Sequence, residues 1–385
     1  MREKSYQICT RCVMDTTDPD IVFDDNGYCN HCTKAIELLK EPPYGLPPKE
    51  KEEALNKLIE KVKSEGQGKQ YDCVIGLSGG VDSSYVAYLV KQWGLRPLAV
   101  HMDNGWNSKE GIENIENICK ILDIDLFTNV LDWEEFKDLQ LAFLKASTPD
   151  SEIPTDNIIF ETLYRIAKEH NVKFILTGYN ITSESILPKA WSQGYFDKKY
   201  IKSVYKKHGT KKKLSIPLLS EYHIYIFRKF HQIKLVNTLD FIQYDKEEAK
   251  KYLKQRLNWQ DYGRKHGESI YTRIFQEYIL PQKFGYDKRR AHYSSLIAAN
   301  QLSRQDALEM LKQPLYINQI DVENDIRYIC NKFGINKTNF EDIMSASLKS
   351  INDFPNTPSS VIYRLSKIIN RVLKKLKIVR SGIEI

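Results

Sequence analysis

The apolar run Cys73-Val74-Ile75-Gly76-Leu77 stops at Ser78-Gly79-Gly80-Val81-Asp82-Ser83-Ser84, and a helical pattern of Tyr85, Val86, Tyr88, Leu89, Val90 and Trp93 begins at once. A buried strand that turns on two glycines and becomes a helix without a spacer is compatible with few folds. The same alternation continues downstream. Apolar runs at 72–77, 97–102, 125–130 and 173–177 are separated by helical patterns near 82–93, 109–122, 133–146 and 157–170. Strands that alternate with helices form right-handed βαβ units and pair in parallel. The expected fold class is therefore α/β, a parallel sheet with helices on both faces.

Ligands of such sheets bind beyond the carboxyl ends of the strands. The heptad sits at such an end. At a helix N-terminus the first amides lack partners and the macrodipole is positive, which suits an anion. Gly79 and Gly80 permit close approach of a phosphate chain, Val81 adds its amide, and Ser78, Ser83 and Ser84 add hydroxyls. Asp82 repels phosphate unless a cation lies between them, which implies Mg²⁺. No lysine follows Gly80, so the loop is not of the GxxxxGK[ST] type. Two more strand exits supply candidates. The run 98–102 leads into Asp103 and Asn104, where a carboxylate suits Mg²⁺ or a ribose hydroxyl, and 173–177 ends in Thr177-Gly178. Asp156 is expected to cap the 157–170 helix or to act in the site.

Near the N-terminus, Cys9-Thr-Arg-Cys12 and Cys29-Asn-His-Cys32 form two CxxC pairs around the turn Asp24-Asp25-Asn26-Gly27. This spacing predicts a tetrathiolate Zn²⁺ knuckle with a structural role, His31 being a bystander. Disulfides would need an oxidising compartment, whereas the segment Met1–Ser5 is polar with no apolar stretch behind it, so a cytoplasmic location is expected. No run of about 18 apolar residues is present, which excludes a membrane-spanning helix. The net charge of +7 favours anionic ligands without demanding nucleic acid.

With 385 residues the chain exceeds one typical domain. The expected division is a knuckle at 1–40, a proline-rich linker and helix at 41–70, the α/β domain at 71–235 and a helical domain at 236–385, with helical patterns at 245–257, 269–280, 289–299, 303–312, 319–333 and 359–376. The lysine-rich stretch 198–213 reads as a solvated loop. Lys265, His266 and Arg273, then Arg289, Arg290 and His292, are candidate phosphate or substrate contacts; the alternative is surface pairing with Glu268 and Asp287.

The heptad is similar to the loop of the N-type ATP pyrophosphatases. The series Cys9-Thr-Arg-Cys-Val-Met-Asp-Thr-Thr-Asp-Pro-Asp20, Cys29-Asn-His-Cys32, Ser78–Ser84 and Arg289-Arg-Ala-His-Tyr-Ser-Ser295 resembles the N-acetyl sugar amidotransferase family of bacterial surface-polysaccharide synthesis, over essentially the full chain. The resemblance implies a Rossmann-like pyrophosphatase fold and an ATP-dependent, AMP-forming C–N ligase that turns an acetamido group on an activated sugar into an acetamidino group. It also implies that ammonia comes from glutaminase and cyclase-like subunits resembling those of histidine biosynthesis. Asp82, Ser83, Lys265 and Arg273 would act on the phosphates, Asp82 and Asp103 would hold Mg²⁺, and Asp156, His266, Arg289, Arg290 and His292 would meet the sugar. Two alternatives stand beside it: a tRNA-modifying thiolase, which commonly needs a further cysteine pair that Cys73 and Cys119 do not make, and an adenine-nucleotide-binding protein without turnover.

Overall fold

A computed structural model describes residues 5–211, 213–263, 267–316 and 319–358. α1 (Asn30–Leu38) starts within the second cysteine pair, and α2 (Pro48–Gly66) carries proline in its first turn, where the missing N–H costs nothing. β1 (Cys73–Gly76), α3 (Val81–Gln92), β2 (Pro97–Asp103), α4 (Lys109–Leu122) and β3 (Asp125–Val130) follow as consecutive βα units. α5 (Trp133–Ala146) and α6 (Ile153–Glu169) lead to β4 (Phe174–Thr177). α7 (Ile181–Glu184), α8 (Lys198–His208) and α9 (Glu221–Lys229) lead to β5 (Lys234–Asn237). α10 (Lys246–Leu257), α11 (Ile270–Ile274), α12 (Lys288–Ala298), α13 (Arg304–Lys312), α14 (Gln319–Phe333) and α15 (Lys337–Ser345) complete the described elements, α11 continuing as a π-helical turn over Phe275–Phe284.

The five strands pair in parallel in the order β3-β2-β1-β4-β5. Ile75 lies between Ala99 of β2 and Leu176 of β4. Alternation along β1 explains the two layers. Cys73 and Ile75 pack with α2, α3, α4 and α10 on one face, while Val74 packs with α6 and α9 on the other. The strand order reverses between β1 and β4, so the crevice opens above the carboxyl end of β1, where the heptad begins. A third core joins α5, α8, α11, the π-turn, α14 and α15 around Trp106.

The sequence-based division meets the structure unevenly. The four expected strands and the helices of the first three βα units lie within a few residues of their expected limits. Residues 198–208 are an amphipathic helix, which corrects the solvated-loop reading: Tyr200, Ile201, Val204 and Tyr205 are buried while Lys202, Lys206 and Lys207 face solvent. β5 was not anticipated, and it runs across the 235/236 boundary. The pattern at 359–376 lies outside the described residues. No helix among the described residues is long and apolar enough to cross a membrane.

Candidate active site

The heptad forms an open cradle at the start of α3. Gly80 is the N-cap residue and no side chain caps this helix, so its leading amides suit an anion. The loop holds itself in shape: Ser78 N donates to Ser83 Oγ at 3.2 Å, Gly80 N donates to Ser78 Oγ at 3.3 Å, and Ser83 Oγ donates to Gly80 O at 3.1 Å. Gly79 has φ +81°, and a Cβ there would lie 2.3 Å from Gly111 O, so only glycine fits. Its carbonyl accepts from Trp259 Nε1 at 2.9 Å and from Asn114 Nδ2 at 3.3 Å. Gly178, at the exit of β4, lets that strand press against α3: a Cβ there would lie 2.8 Å from Ser83 N.

Acidic and phenolic groups flank the cradle. Tyr244 donates to Asp82 Oδ1 at 2.5 Å. A Cβ on Gly80 would lie 3.2 Å from a Glu268 carboxylate oxygen and 3.3 Å from the Tyr262 hydroxyl. Burial, reinforced by Asp82 for Tyr244 and by Glu268 for Tyr262, raises both phenol pKa values, so both hydroxyls stay protonated. Two carboxylates beside an anion cradle fit a divalent cation between them and a phosphate chain. Beneath the loop, His101 Nδ1 meets Leu77 O at 3.1 Å and Nε2 meets Asn107 Nδ2 at 3.1 Å. Both bonds are satisfied by the neutral ring with its proton on Nδ1, and burial lowers its pKa accordingly.

The other strand exits are less open. Asp103 Oδ1 accepts from Gly105 N at 2.9 Å and from Asn107 Nδ2 at 3.2 Å, an Asx turn. Asn104 closes a similar turn onto Trp106 N and reaches Thr155 Oγ1 at 3.5 Å. The Thr177 hydroxyl points to β5, donating to Val236 O at 3.3 Å. α6 runs antiparallel to the strands, so its first turn stands at the carboxyl edge of the sheet. It starts at Ile153, four residues before the expected 157, which corrects the capping role of Asp156: this residue lies inside the first turn.

A cluster of charged side chains forms around that turn. Asp150 Oδ1 accepts from Glu152 N at 2.8 Å, and its Oδ2 accepts from the Ser192 hydroxyl. Glu152 Oε2 accepts from Gln276 Nε2 at 2.8 Å and lies 3.7 Å from Lys288 Nζ. The half-buried Asp156 carboxylate makes no hydrogen bond or ion pair among the described residues. Burial, then Asp150 and Glu152, push its pKa well above the usual carboxylate range. Burial opposes the charge on Lys288, but Glu152, Asp150 and Asp156 outweigh it and raise its pKa.

The four cysteines of the N-terminal knuckle are buried and their sulfurs lie within 4.8 Å of one another. Neighbouring Sγ–Sγ distances are 3.7 Å for Cys9–Cys32, 3.5 Å for Cys12–Cys29 and 3.5 Å for Cys29–Cys32. A tetrahedral zinc ion with bonds of about 2.3 Å needs edges of roughly 3.8 Å. The donor set therefore fits Zn²⁺. Amides of Cys12 and Cys29 point at Cys9 Sγ at 3.4 and 3.2 Å, and Arg11 places Nε and Nη2 each 3.2 Å from Cys32 Sγ, as suits thiolate charge. His31 is turned away and meets the buried Asp18 at 2.5 Å.

Against known proteins, the NAD synthase family model matches residues 51–214, and that of the LPS biosynthesis protein WbpG-like C-terminal domain matches 268–378. The α/β domain is thus similar to the NAD synthase family, and the lysine-free heptad to the loop of the N-type ATP pyrophosphatases. An uncharacterised protein of Methanocaldococcus jannaschii is 30% identical over 177 residues, 45% of this chain and 59% of the relative. A probable mitochondrial tRNA-specific 2-thiouridylase of Caenorhabditis elegans is 32% identical over 126 residues, and a tRNA-specific 2-thiouridylase of Fusobacterium nucleatum is 31% identical over 121. The chain spans about a third of each thiouridylase. The solved NH3-dependent NAD synthetase of Campylobacter jejuni aligns at 21% identity over 56% of this chain and 89% of its own, with a TM-score of 0.29, too low to argue from.

Within the described residues the predicted basic contacts are mostly engaged by other groups. Arg273 grips Asp325 on α14 with Nε at 2.9 Å and Nη2 at 2.5 Å, a helix-to-helix tie in place of the expected phosphate contact. Arg289 pairs with Asp287 at 2.7 Å and donates to Gln313 O at 2.8 Å. Arg290 turns to the knuckle, and His292 Nδ1 meets Ser183 O at 3.0 Å. Lys265 and His266 lie outside the described residues. The sequence reading missed Lys288: in Lys288-Arg289-Arg290, charge alone cannot say which residue faces the crevice. Glu268, Tyr244, Tyr262 and Trp259 were also missed, since nothing local in the sequence marks them as neighbours of residue 80.

Proposed function

We propose that this protein is an AMP-forming amidotransferase acting on an activated N-acetyl sugar. The observation that carries the reading is the lysine-free cradle at Ser78–Ser84, an uncapped helix start whose amides and Asp82 suit a pyrophosphate leaving group. The WbpG-like C-terminal match and the residue pattern shared with the amidotransferase family support the choice of acceptor. An acetamide oxygen is a poor leaving group. Its attack on the α-phosphorus of ATP breaks the bond to the β-phosphate oxygen, and pyrophosphate departs with the electron pair. Ammonia then adds to the activated carbon, loses protons, and AMP leaves with the carbon–oxygen bonding pair, giving an amidine.

The protein's share is positioning and electrostatics. Amides of Val81, Asp82 and Ser83 and the hydroxyls of Ser78 and Ser83 would hold the departing phosphates, with Lys265 as a cation. Mg²⁺, held by Asp82 with Asp103 or Glu268, would offset the phosphate charge. Asn104, Asp156 and Lys288 would face the acceptor. Zn²⁺ at the knuckle would be structural. Ammonia would come from a separate glutaminase working with a cyclase-like subunit.

Incubation with ATP, ammonium and a panel of acetamido sugar nucleotides tests this. AMP and pyrophosphate should form with a product about one dalton lighter, as oxygen gives way to NH; ADP and orthophosphate in their place would overturn it. The thiouridylase relatives favour a second reading, sulfur transfer to tRNA. Against it, Cys73 is fully buried in β1 and the Cys119 thiol is pushed up to about 11 by burial, poor settings for a sulfur carrier.

A further inference from the structure

The knuckle does not hang from the molecule as a separate module. Its contacts converge on α12. Arg290 places Nη1 2.9 Å from Val13 O and Nε 2.9 Å from the buried Asp15, and Val13 N donates to Ser294 Oγ at 3.2 Å. Arg304, at the start of α13, donates to Cys9 O at 2.9 Å and to Cys12 O at 3.0 Å, the carbonyls of the first cysteine pair. The four cysteines, Met14 and Ile21 share one apolar cluster with Ala291 of α12 and with Ile186 and Trp191.

From that apolar cluster two short paths reach the charged side chains at the start of α6. On the first, α12 carries Lys288 to within 3.7 Å of Glu152, while Ser295 accepts from Ile186 N at 3.0 Å and His292 meets Ser183 O of α7 at 3.0 Å. On the second, Trp191 stacks on Tyr286 at 5.2 Å, and the next residue, Ser192, donates to Asp150. The phosphate loop belongs to a different core, built from α2, α3, α4 and α10, with no knuckle residue in it.

We infer that the metal-loaded knuckle is the brace for one side of the crevice only: it fixes α12 and the segment 183–192, and through them Lys288 and Asp150, without setting the phosphate cradle. Four thiolates crowded at 3.5–3.7 Å repel one another unless a cation joins them. Loss of the ion should therefore splay the two CxxC turns, and the carbonyls that Arg290 and Arg304 hold move with them. Only the reading of this side as the acceptor side rests on the function proposed above.

Hydrogen exchange on the full chain, before and after metal removal with a thiol-displacing mercurial and a chelator, tests the brace. Peptides covering 183–192 and 288–298 should exchange about tenfold faster without metal, while 73–92 stays unchanged and a fluorescent ATP analogue binds within about twofold. Arg290→Ala should reproduce part of the change in 288–298 with its metal content intact. Unchanged exchange in both segments, equal acceleration of 73–92, or a purified chain that binds no metal would each overturn the inference. Failure of every acetamido sugar to give AMP would remove the proposed function and leave the exchange result standing.

Discussion

At the scale of single residues, the site is shaped by groups that can be only what they are. Gly79→Ala would set a methyl group against Gly111 O in a backbone region that disfavours side chains. The expected cost is about 1–3 kcal/mol, seen in urea denaturation, together with a loss of ATP-analogue binding that a refolded, stable variant still shows. Asp82→Asn should keep the fold and abolish pyrophosphate release; full activity would take Asp82 out of the chemistry. Asp156 gives a pH signature. Its folded pKa lies well above the ordinary carboxyl value of 3.8, so between those two values the folded state holds a proton that the unfolded chain has released. Stability then falls as pH rises through that window. Asp156→Asn should be more stable than the parent at pH 8 and should lose that advantage as pH approaches 4, measured as denaturation midpoints across the range. A constant difference at every pH would mean that the carboxylate does not titrate anomalously.

Elements were legible where pattern and burial agree. β1, β2 and β4 are apolar runs buried on both faces, and α4 keeps one apolar stripe between Ser108, which caps it, and Asp123. β5 is four residues long with lysine at one end, too short and polar to stand out until β4 is beside it. α8 was hidden by its lysines. Their density reads as a solvated loop, yet Tyr200, Ile201, Val204 and Tyr205 recur at helical spacing and close the third core, and Tyr205 donates to Asp138 at 2.9 Å. The two readings separate cleanly in a denaturation series. Ile201→Ala should cost about 2–5 kcal/mol, whereas Lys202→Gln and Lys206→Gln, both exposed, should stay within about 0.5 kcal/mol. A loop would make all three changes equally mild.

Across the whole molecule, the phosphate loop is finished by chain that comes after the sheet. Past β5, α10 packs Ala249, Leu253 and Leu257 into the core that also holds α3 and α4. The segment beyond it then laces over the cradle: Trp259 holds Gly79 O, Gln260 N donates to Asn114 Oδ1 at 2.7 Å, Ser108 N donates to Glu268 O at 2.8 Å, and Ile270 N donates to Trp106 O at 2.9 Å. None of this was legible in the heptad, because the partners lie more than 140 residues away and carry no motif. Nucleotide binding and the helical region should therefore not separate at 235/236 without loss. Trp259→Phe keeps most of the packing and removes one hydrogen bond, so it should cost about 1 kcal/mol and weaken ATP-analogue binding by releasing the Gly79 carbonyl. A chain ended at residue 245 would expose the face of α3 that α10 covers and leave the cradle without its strap. It should bind no ATP analogue and show no cooperative unfolding, while the full chain does both. A truncated chain that bound the analogue as well as the full one would mean that the strap shapes nothing in the cradle.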